Sequence, residues 1–182
     1  LGDNITNMTD YVEELSDQEW LKNTVKLKQL ITEKSFRVPA RTDRPQTQVT
    51  VIDLIDRQII NKRLIATLPC VNGEILADPV HDILKLAIVE RYGKTGGVGV
   101  GFVRGFGLRE GAMAYSMSHD HHNIVVVGVN ELDMAQSVKV IQEMQGGLCV
   151  VRNGEVMAKM RLPIGGLMSE QDAGCLLYTS PS

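Results

Sequence analysis

The segment 123–151 constrains the fold most, because one amphipathic helical pattern joins two apolar runs there. The first run, NIVVVGV at 123–129, is almost continuously apolar, which predicts a strand that is buried on both faces. Asn130 is a suitable N-cap, Asp133 stands at the reciprocal position, and apolar residues then recur at every third position. Gly146 is expected to end the helix before the second run, LCVV. The segment therefore predicts a β-α-β unit with a right-handed crossover.

Two Asn-Gly pairs, Asn72-Gly73 and Asn153-Gly154, each lie between residues that favour strands. Asn-Gly supplies the positive φ angles of a type I′ turn, so each pair predicts a β-hairpin. Further strands are predicted from alternating or apolar patterns at QVTVIDLID, QIINKRLIATL, ILKLAIVERY and GVGVGFV. Together these elements predict a mixed α/β domain, with a multi-stranded mixed β-sheet, hairpins and few helices.

The first 45 residues have a different pattern, which predicts an amino-terminal helical arm followed by a linker. Residues 9–15 and 17–33 combine apolar and charged residues at helical spacing, and Ser16 with Glu19 matches a capping box. The stretch RVPARTDRP that follows is rich in proline and arginine, which is typical of a linker. The predicted division is 1–45 for the arm and linker, 46–174 for the main domain, and 175–182 for a tail that continues neither.

Composition argues against several classes of protein. The chain has 182 residues, 43% of them hydrophobic and 23% charged, and its net charge of −3 argues against a nucleic-acid partner. No apolar run reaches the length of about 18 residues that spans a bilayer, so no membrane partner is expected. Cys70, Cys149 and Cys175 are odd in number and widely spaced, which favours reduced thiols and a cytoplasmic location.

The glycine-rich stretch GKTGGVGVGFVRGFG does not fit a nucleotide-binding loop. A phosphate loop that ends at Gly93-Lys94-Thr95 requires a glycine at position 88, where the chain has Ile88. The dinucleotide pattern G-x-G-x-x-G lacks its third glycine in either register. These glycines are expected to let the backbone bend or approach another surface closely. The adjacent pair Glu90-Arg91 is interpreted as a solvated strand edge, because neighbouring strand residues face opposite ways.

Three of the four histidines lie within SHDHHN, at 118–123. Imidazoles titrate near neutral pH and both donate and accept hydrogen bonds, and Asp120 can orient one of them or hold a proton. His119 and His121 have the His-x-His form that binds metals in β/α-barrel hydrolases. Such a barrel takes about 250 residues, however, and no later histidine completes a ligand set, so we predict no metal ligand in this chain. The residues alone leave a functional cluster, an exposed polar turn, and core histidines satisfied by backbone groups as alternatives.

Several separate motifs within residues 49–169 strongly resemble the carboxy-terminal domain of bacterial adenine deaminases, among them GFVRGFGLREGA, SHDHHN and LPIGGLMS. The resemblance implies an enzyme of the amidohydrolase superfamily that converts adenine and water to hypoxanthine and ammonia in purine salvage. It also implies that the parent chain contains a metal-binding barrel with a dinuclear manganese or iron centre. Adenine, that barrel and further copies of the same chain are the expected partners.

The family motif His-Asp-x-His-Asn falls on His119, Asp120, His122 and Asn123 of this sequence. The resemblance implies catalytic roles for His119, Asp120 and His122, at a loop that positions adenine or relays protons at the mouth of the barrel. His121 stands where the family commonly has serine and is left out of the predicted site. The residues expected to bind the substrate are Ser118, Asn123, Gly105 and Gly107.

None of the metal ligands of such a barrel is found in these 182 residues, so the chain alone is expected to have no deaminase activity. The start at Leu1 rather than Met and the unmatched end CLLYTSPS are expected of a piece of a longer protein. A domain separated from its barrel should also expose an apolar patch of several hundred Å². The alternative to an enzyme domain is a non-catalytic binding or interaction module that braces a partner barrel.

Overall fold

A computed structural model describes residues 19–41, 43–169 and 171. Its strands are β1 (Gln46–Leu54), β2 (Asn61–Val71), β3 (Glu74–Ile75), β4 (Ile83–Val89), β5 (Val98–Arg104), β6 (Ala112–Tyr115), β7 (Ile124–Gly128), β8 (Gly147–Arg152) and β9 (Glu155–Arg161). They form one sheet in the order β3-β2-β1-β5-β4-β7-β6-β8-β9. Neighbouring strands are antiparallel except for the parallel pair β1 and β5. The predicted multi-stranded mixed sheet is confirmed.

The described residues contain one α-helix, α1 (Glu131–Met144), and single-turn 3-10 helices at Glu19–Leu21, Glu33–Phe36 and Pro79–His81. The side chain of Asn130 accepts the N–H of Asp133 at 2.8 Å, as the predicted N-cap requires. The left-handed residue at the end of α1 is Gln145, with a φ of 61°, one position before Gly146. In this part of the chain no helix has the length and apolar character needed to cross a membrane.

The predicted β-α-β unit is present, but its two strands are not neighbours. β7 and β8 both pair antiparallel with β6, which lies between them, so β7 and β8 run parallel to each other. All five residues of β7 are buried, as expected for a strand that is covered on both faces.

Both Asn-Gly hairpins are confirmed. β2 turns into β3 through Asn72 and Gly73, whose φ angles are 52° and 78°. β8 turns into β9 through Asn153 and Gly154, with φ angles of 53° and 80°. Positive φ at both central residues is the requirement of a type I′ turn, which explains why this dipeptide predicts the hairpins so directly.

The helix predicted over 17–33 is wrong for the residues that the structure describes. After the single turn at Glu19–Leu21 the backbone is irregular, and Lys26 forms a parallel bridge with Tyr92. Val25 and Phe36 are buried in the main hydrophobic core together with α1. Tertiary burial of this segment therefore outweighs its helical propensity. The remainder of the predicted arm, 1–18, lies outside the described residues.

The two faces of the sheet are covered differently. On one side, here called the helix face, α1 and the segment around Val25 and Phe36 pack over the strands. The opposite side, here called the outer face, is covered by Phe106 and Leu108 of the β5–β6 connection, which pack over Leu84, Val103 and Val127. That cover lies at the edge of the sheet where β5 ends and β6 begins.

The buried side chain of Asp133 joins α1 to the β8–β9 hairpin. Its carboxylate accepts the N–H groups of Asn153 and Gly154 at 3.2 and 2.7 Å, and the side-chain amide of Asn130 at 2.8 Å. A carboxylate in the first turn also interacts favourably with the helix dipole. One side chain thus fixes both the start of α1 and the turn of the hairpin.

Replacing this carboxylate should destabilise the domain strongly. Asp133→Ala is expected to lower the free energy of unfolding by about 3 kcal/mol, because the backbone N–H groups of Asn153 and Gly154 and the side-chain amide of Asn130 lose a charged acceptor. Urea denaturation measures the change. Glu143→Ala on the exposed side of the same helix is the control and should change stability by no more than about 0.5 kcal/mol. Equal losses in the two variants would contradict the assignment.

Candidate functional site

The histidine loop, residues 116–123, joins β6 to β7 at one edge of the sheet. The N–H of His122 donates to the carbonyl of Ser118 at 2.8 Å, and that of His121 to the carbonyl of His119 at 3.1 Å. Asp120 and His122 have positive φ angles of 70° and 47°, a region that residues with side chains rarely adopt. Such a backbone persists only where the surrounding structure holds it in place.

His119 and Asp120 are in exposed side-chain contact on this loop. Nδ1 of His119 lies 2.8 Å from Oδ1 of Asp120, and the two side chains are 93% and 88% exposed. A pair this exposed adds little to stability. Its geometric effect matters more: because the carboxylate holds Nδ1, Nε2 is the ring nitrogen that remains for another contact. The ring of His122 lies edge-on to that of His119, with 6.5 Å between their centroids.

His121, which the sequence left out of the site, braces the loop. Its Nδ1 accepts the N–H of Asn123 at 3.0 Å, so the proton of the neutral ring lies on Nε2, 3.2 Å from the hydroxyl oxygen of Ser118. The hydroxyl of Tyr92 donates to the carbonyl of His121 at 3.1 Å. The side chains of His121 and Ser118 are therefore hydrogen-bonded to each other within the loop.

Two buried polar atoms of the loop have no hydrogen-bond partner among the described residues, Nδ1 of His122 and Oδ1 of Asn123. Buried polar atoms are almost always paired, and an unpaired one costs about 1–3 kcal/mol. Because both atoms are buried, a partner from elsewhere could reach them only if the loop shifted.

Arg91 holds the base of the loop, and its predicted position on a solvated strand edge is wrong. The residue is 2% exposed. Its guanidinium donates from Nε to the carbonyl of His122, from Nη1 to the hydroxyl of Thr24 at 3.2 Å, and from Nη2 to the carbonyl of Gly165 at 2.9 Å. Because the guanidinium is a rigid planar fork, one side chain fixes three separate segments relative to one another.

The motif LPIGGLMS, residues 162–169, meets the histidine loop at this edge. Gly165 and Gly166 have φ angles of 64° and 74°. The carbonyl of Gly166 accepts the hydroxyl of Ser116 at 2.6 Å, and the N–H of Gly165 donates to the carbonyl of Leu21 at 2.7 Å. A Cβ on Gly166 would collide with the guanidinium of Arg91, so this position requires glycine for space as well as for its backbone angle.

Glu90 organises the neighbouring loop, residues 91–97, and is likewise not a free strand-edge carboxylate. It accepts the N–H groups of Thr95 and Gly96 at 3.0 Å, that of Lys94 at 3.1 Å, and that of Tyr92. An internal carboxylate thus takes up four backbone N–H groups of this loop. These backbone donors, with that of Gly96 foremost, lower the pKa of Glu90 to about 2.

Gly105 and Gly107 lie at the opposite edge of the sheet. They follow β5, and their N–H groups donate to the carboxylate of Asp82 at 3.0 and 2.7 Å. β5 has seven residues, so the two edges are separated by roughly 20 Å at about 3.3 Å per residue. The structure does not bring these glycines together with the histidine loop, and their role in substrate binding stays a prediction.

The described residues include no group of three or more His, Cys, Asp or Glu side chains placed to hold a metal ion. Within the loop the nitrogen donors do not converge, because Nδ1 of His119 is paired with Asp120 and Nδ1 of His121 accepts a backbone N–H. The residues of the loop therefore do not fit a metal centre.

Arg91→Lys should loosen the loop, because a lysine ammonium cannot reproduce the three contacts of the planar fork. We expect the free energy of unfolding to fall by about 2 kcal/mol or more, with faster hydrogen exchange at the amides of residues 119–123. Arg152→Lys is the control, since Arg152 contacts Glu110 on the surface, and it should change neither measurement appreciably. Unchanged amide exchange in Arg91→Lys would contradict the assignment.

The lowered pKa of Glu90 predicts a pH dependence. The carboxylate stabilises the folded chain fully above its ordinary pKa of 4.5, and this contribution is lost as the pH falls toward about 2. In Glu90→Gln that part of the acid sensitivity should disappear, whereas Glu143→Gln on α1 should retain it. Unfolding free energies measured across this pH range test the expectation, and identical slopes for Glu90→Gln and the parent chain would refute it.

Comparison with known proteins relates the chain to one enzyme family. A family model described as "Adenine deaminase C-terminal domain" matches residues 58–178. The chain is 48% identical over 166 residues to an adenine deaminase of Desulforamulus reducens, covering 91% of this chain and 28% of that protein. It is 40% identical over 151 residues to an adenine deaminase of Moorella thermoacetica, covering 83% of this chain and 25% of that protein. The chain thus spans about a quarter of the length of these relatives.

Proposed function

This chain belongs to the family of adenine deaminase carboxy-terminal domains, and from that membership we propose that its histidine loop completes the substrate pocket of an adenine deaminase. The reaction would be the hydrolysis of adenine to hypoxanthine and ammonia. One observation carries the proposal: the exposed His119–Asp120 pair stands on a loop whose base is fixed by the buried guanidinium of Arg91. A rigid base with exposed polar side chains is suited to meet a substrate held by a neighbouring part of the enzyme.

His119 would move a proton in this reaction. Asp120 holds Nδ1, which leaves Nε2 of His119 directed away from its own carboxylate partner. The amino group of adenine must gain a proton before it departs as ammonia, and a correctly placed imidazole can supply one. General acid–base catalysis of this kind typically contributes about 10²–10⁴-fold to the rate. Asp120 is then a positioning residue for His119.

His122 and Asn123 would contribute to recognition of the purine. Oδ1 of Asn123 can only accept a hydrogen bond, whereas Nδ1 of His122 can donate or accept, and neither is paired within the described chain. Because both atoms are buried, they would meet the purine only after the loop shifts on contact with the catalytic part. Adenine offers an exocyclic amine as donor and ring nitrogens as acceptors. Pockets that pair such groups away from water discriminate strongly against ligands that lack them.

We assign the manganese or iron that the resemblance implies to the part of the parent enzyme outside this match. The loop residues do not converge on a metal, so no step of the role proposed here passes through one. The 182-residue chain alone is accordingly expected to release no ammonia from adenine.

A second role, bracing the catalytic part without contacting adenine, is favoured by the partly exposed outer face of the sheet, where Ile88 is 39% exposed. The two roles can coexist, because one concerns the loop at the edge and the other concerns the face. Variants of the histidines separate them, since a bracing role does not depend on imidazole chemistry.

The role of the loop is tested in a graft in which this chain replaces the matching quarter of the Desulforamulus reducens enzyme. We expect His119→Ala to lower kcat for adenine about 100-fold or more, and His122→Ala mainly to raise KM. His81→Ala is the control, because His81 is an exposed histidine at the opposite edge of the sheet. Steady-state ammonia release measures all three. Unchanged kcat and KM in both loop variants would reduce the loop to a packing element.

A further inference from the structure

Across strands β5, β4, β7, β6, β8 and β9, the strand positions on the outer face carry charged side chains only at the β8–β9 turn, where Arg152 pairs with Glu155, away from the edge that carries the histidine loop. Leu84, Val103 and Val127 identify this face, and strand alternation adds residues such as Ile88, Tyr115 and Met160. An antiparallel sheet that leaves one face in water normally carries polar side chains there. A face of this composition is expected to be covered in the working protein.

The cover supplied by the described residues lies at one edge only. Leu84, Val103 and Val127 are almost completely buried beneath Phe106 and Leu108. By contrast, Ile88, which follows the half-buried Leu86 by two positions on the same strand, is 39% exposed. Its cross-strand partner Gly99 is exposed as well. On β4 and β5, exposure of the outer face therefore rises toward the edge that carries the histidine loop, whereas Val125, the partner of Ile88 on β7, is buried.

Gly99 and Gly101 form a furrow in this exposed part. A Cβ added at either position would meet no atom within 4 Å, and neither residue has the left-handed φ that favours glycine. The backbone and the packing of this chain therefore do not explain the absence of side chains. Glycine within a strand commonly marks a place where another backbone approaches closely.

We propose that the open part of the outer face, centred on Ile88, Gly99 and Tyr115, is the docking surface for the catalytic part of the same enzyme. This rests on the proposed function, because the occupant is the larger part of the adenine deaminases that lies outside the match. The occupant would present an uncharged apolar surface, with a segment of backbone that fits over the furrow.

The position of the first described segment favours this occupant. In a protein in which this domain is carboxy-terminal, the catalytic part precedes it. The described chain begins at Glu19–Leu21, where the carbonyl of Leu21 accepts the N–H of Gly165. Gly165 is bound by Arg91, which also binds His122. The first described segment is thus fixed at the edge where the outer face is open, and a catalytic part joined to it would lie within reach of both the face and the histidine loop.

Methionine oxidation provides a direct probe. Met113 and Met160 lie on the outer face, whereas Met134 is fully buried in the core on the helix face. We expect oxidation of Met160 and Met113 by dilute peroxide to be at least fivefold slower in the graft than in the isolated 182-residue chain. Met134 should react at the same slow rate in both. Equal rates for Met160 in the two proteins would overturn the proposal, as would protection of Met160 in the isolated chain through self-association.

Two variants connect the protection to this surface. Ile88→Lys places a charge on the face and should abolish the protection of Met160 in the graft, whereas Ile59→Lys, at a fully exposed isoleucine of the β1–β2 connection, should not. Gly99→Val fills the furrow with a residue that favours strands, so the isolated chain should be at least as stable as the parent while protection in the graft is lost. Protection that survives both Ile88→Lys and Gly99→Val would refute the assignment.

The outcomes separate docking from the pocket role. Loss of turnover in His119→Ala with full protection of Met160 supports both proposals. Full protection with unchanged turnover in the histidine variants retains the docking surface and refutes the pocket role. Loss of turnover without protection in the parent graft retains the pocket role and refutes the docking surface.

Discussion

The contacts of the Arg91 guanidinium determine the arrangement of the candidate site. A buried cation is costly unless its donors are satisfied, and Arg91 meets this condition with oxygens from His122, Thr24 and Gly165. Arg91 therefore prevents independent movement of three segments: the histidine loop, the segment that contains Thr24, and the turn at Gly165. The exposed His119–Asp120 pair depends on that arrangement, because its loop contains backbone angles that need external support.

The parts of the fold that the sequence predicts well are those with short-range signals. The two Asn-Gly turns and the cap of α1 depend on residues no more than three positions apart, and all of them are confirmed. The segment around Val25 and Phe36 was predicted wrongly, because its conformation depends on burial against α1, far along the chain. Arg91 was misinterpreted for the same reason, since its acceptors lie 31, 67 and 74 positions away.

In the candidate site, too, short-range features were predicted and long-range contacts were not. SHDHHN marks the loop, but the residues alone cannot assign roles to three adjacent imidazoles. His121, set aside because it departs from the family motif, proves to hold Ser118 and Asn123. Gly105 and Gly107 are close to the loop in sequence, yet β6 carries the chain across the sheet between them. Which motifs come together in the fold therefore depends on the strands that separate them, and the motifs themselves do not reveal this.

The position of β6 between β7 and β8 has a consequence for how the chain folds. β7 and β8 are joined by a single helix, yet they cannot pair with each other, since both hydrogen-bond to a strand that precedes them. The β7-α1-β8 segment is therefore not an autonomous folding unit, although its sequence pattern is the clearest in the chain. Its arrangement in the sheet depends instead on the pairing of β6 with β8, whose partners lie far apart along the chain, and this raises the contact order, which slows folding.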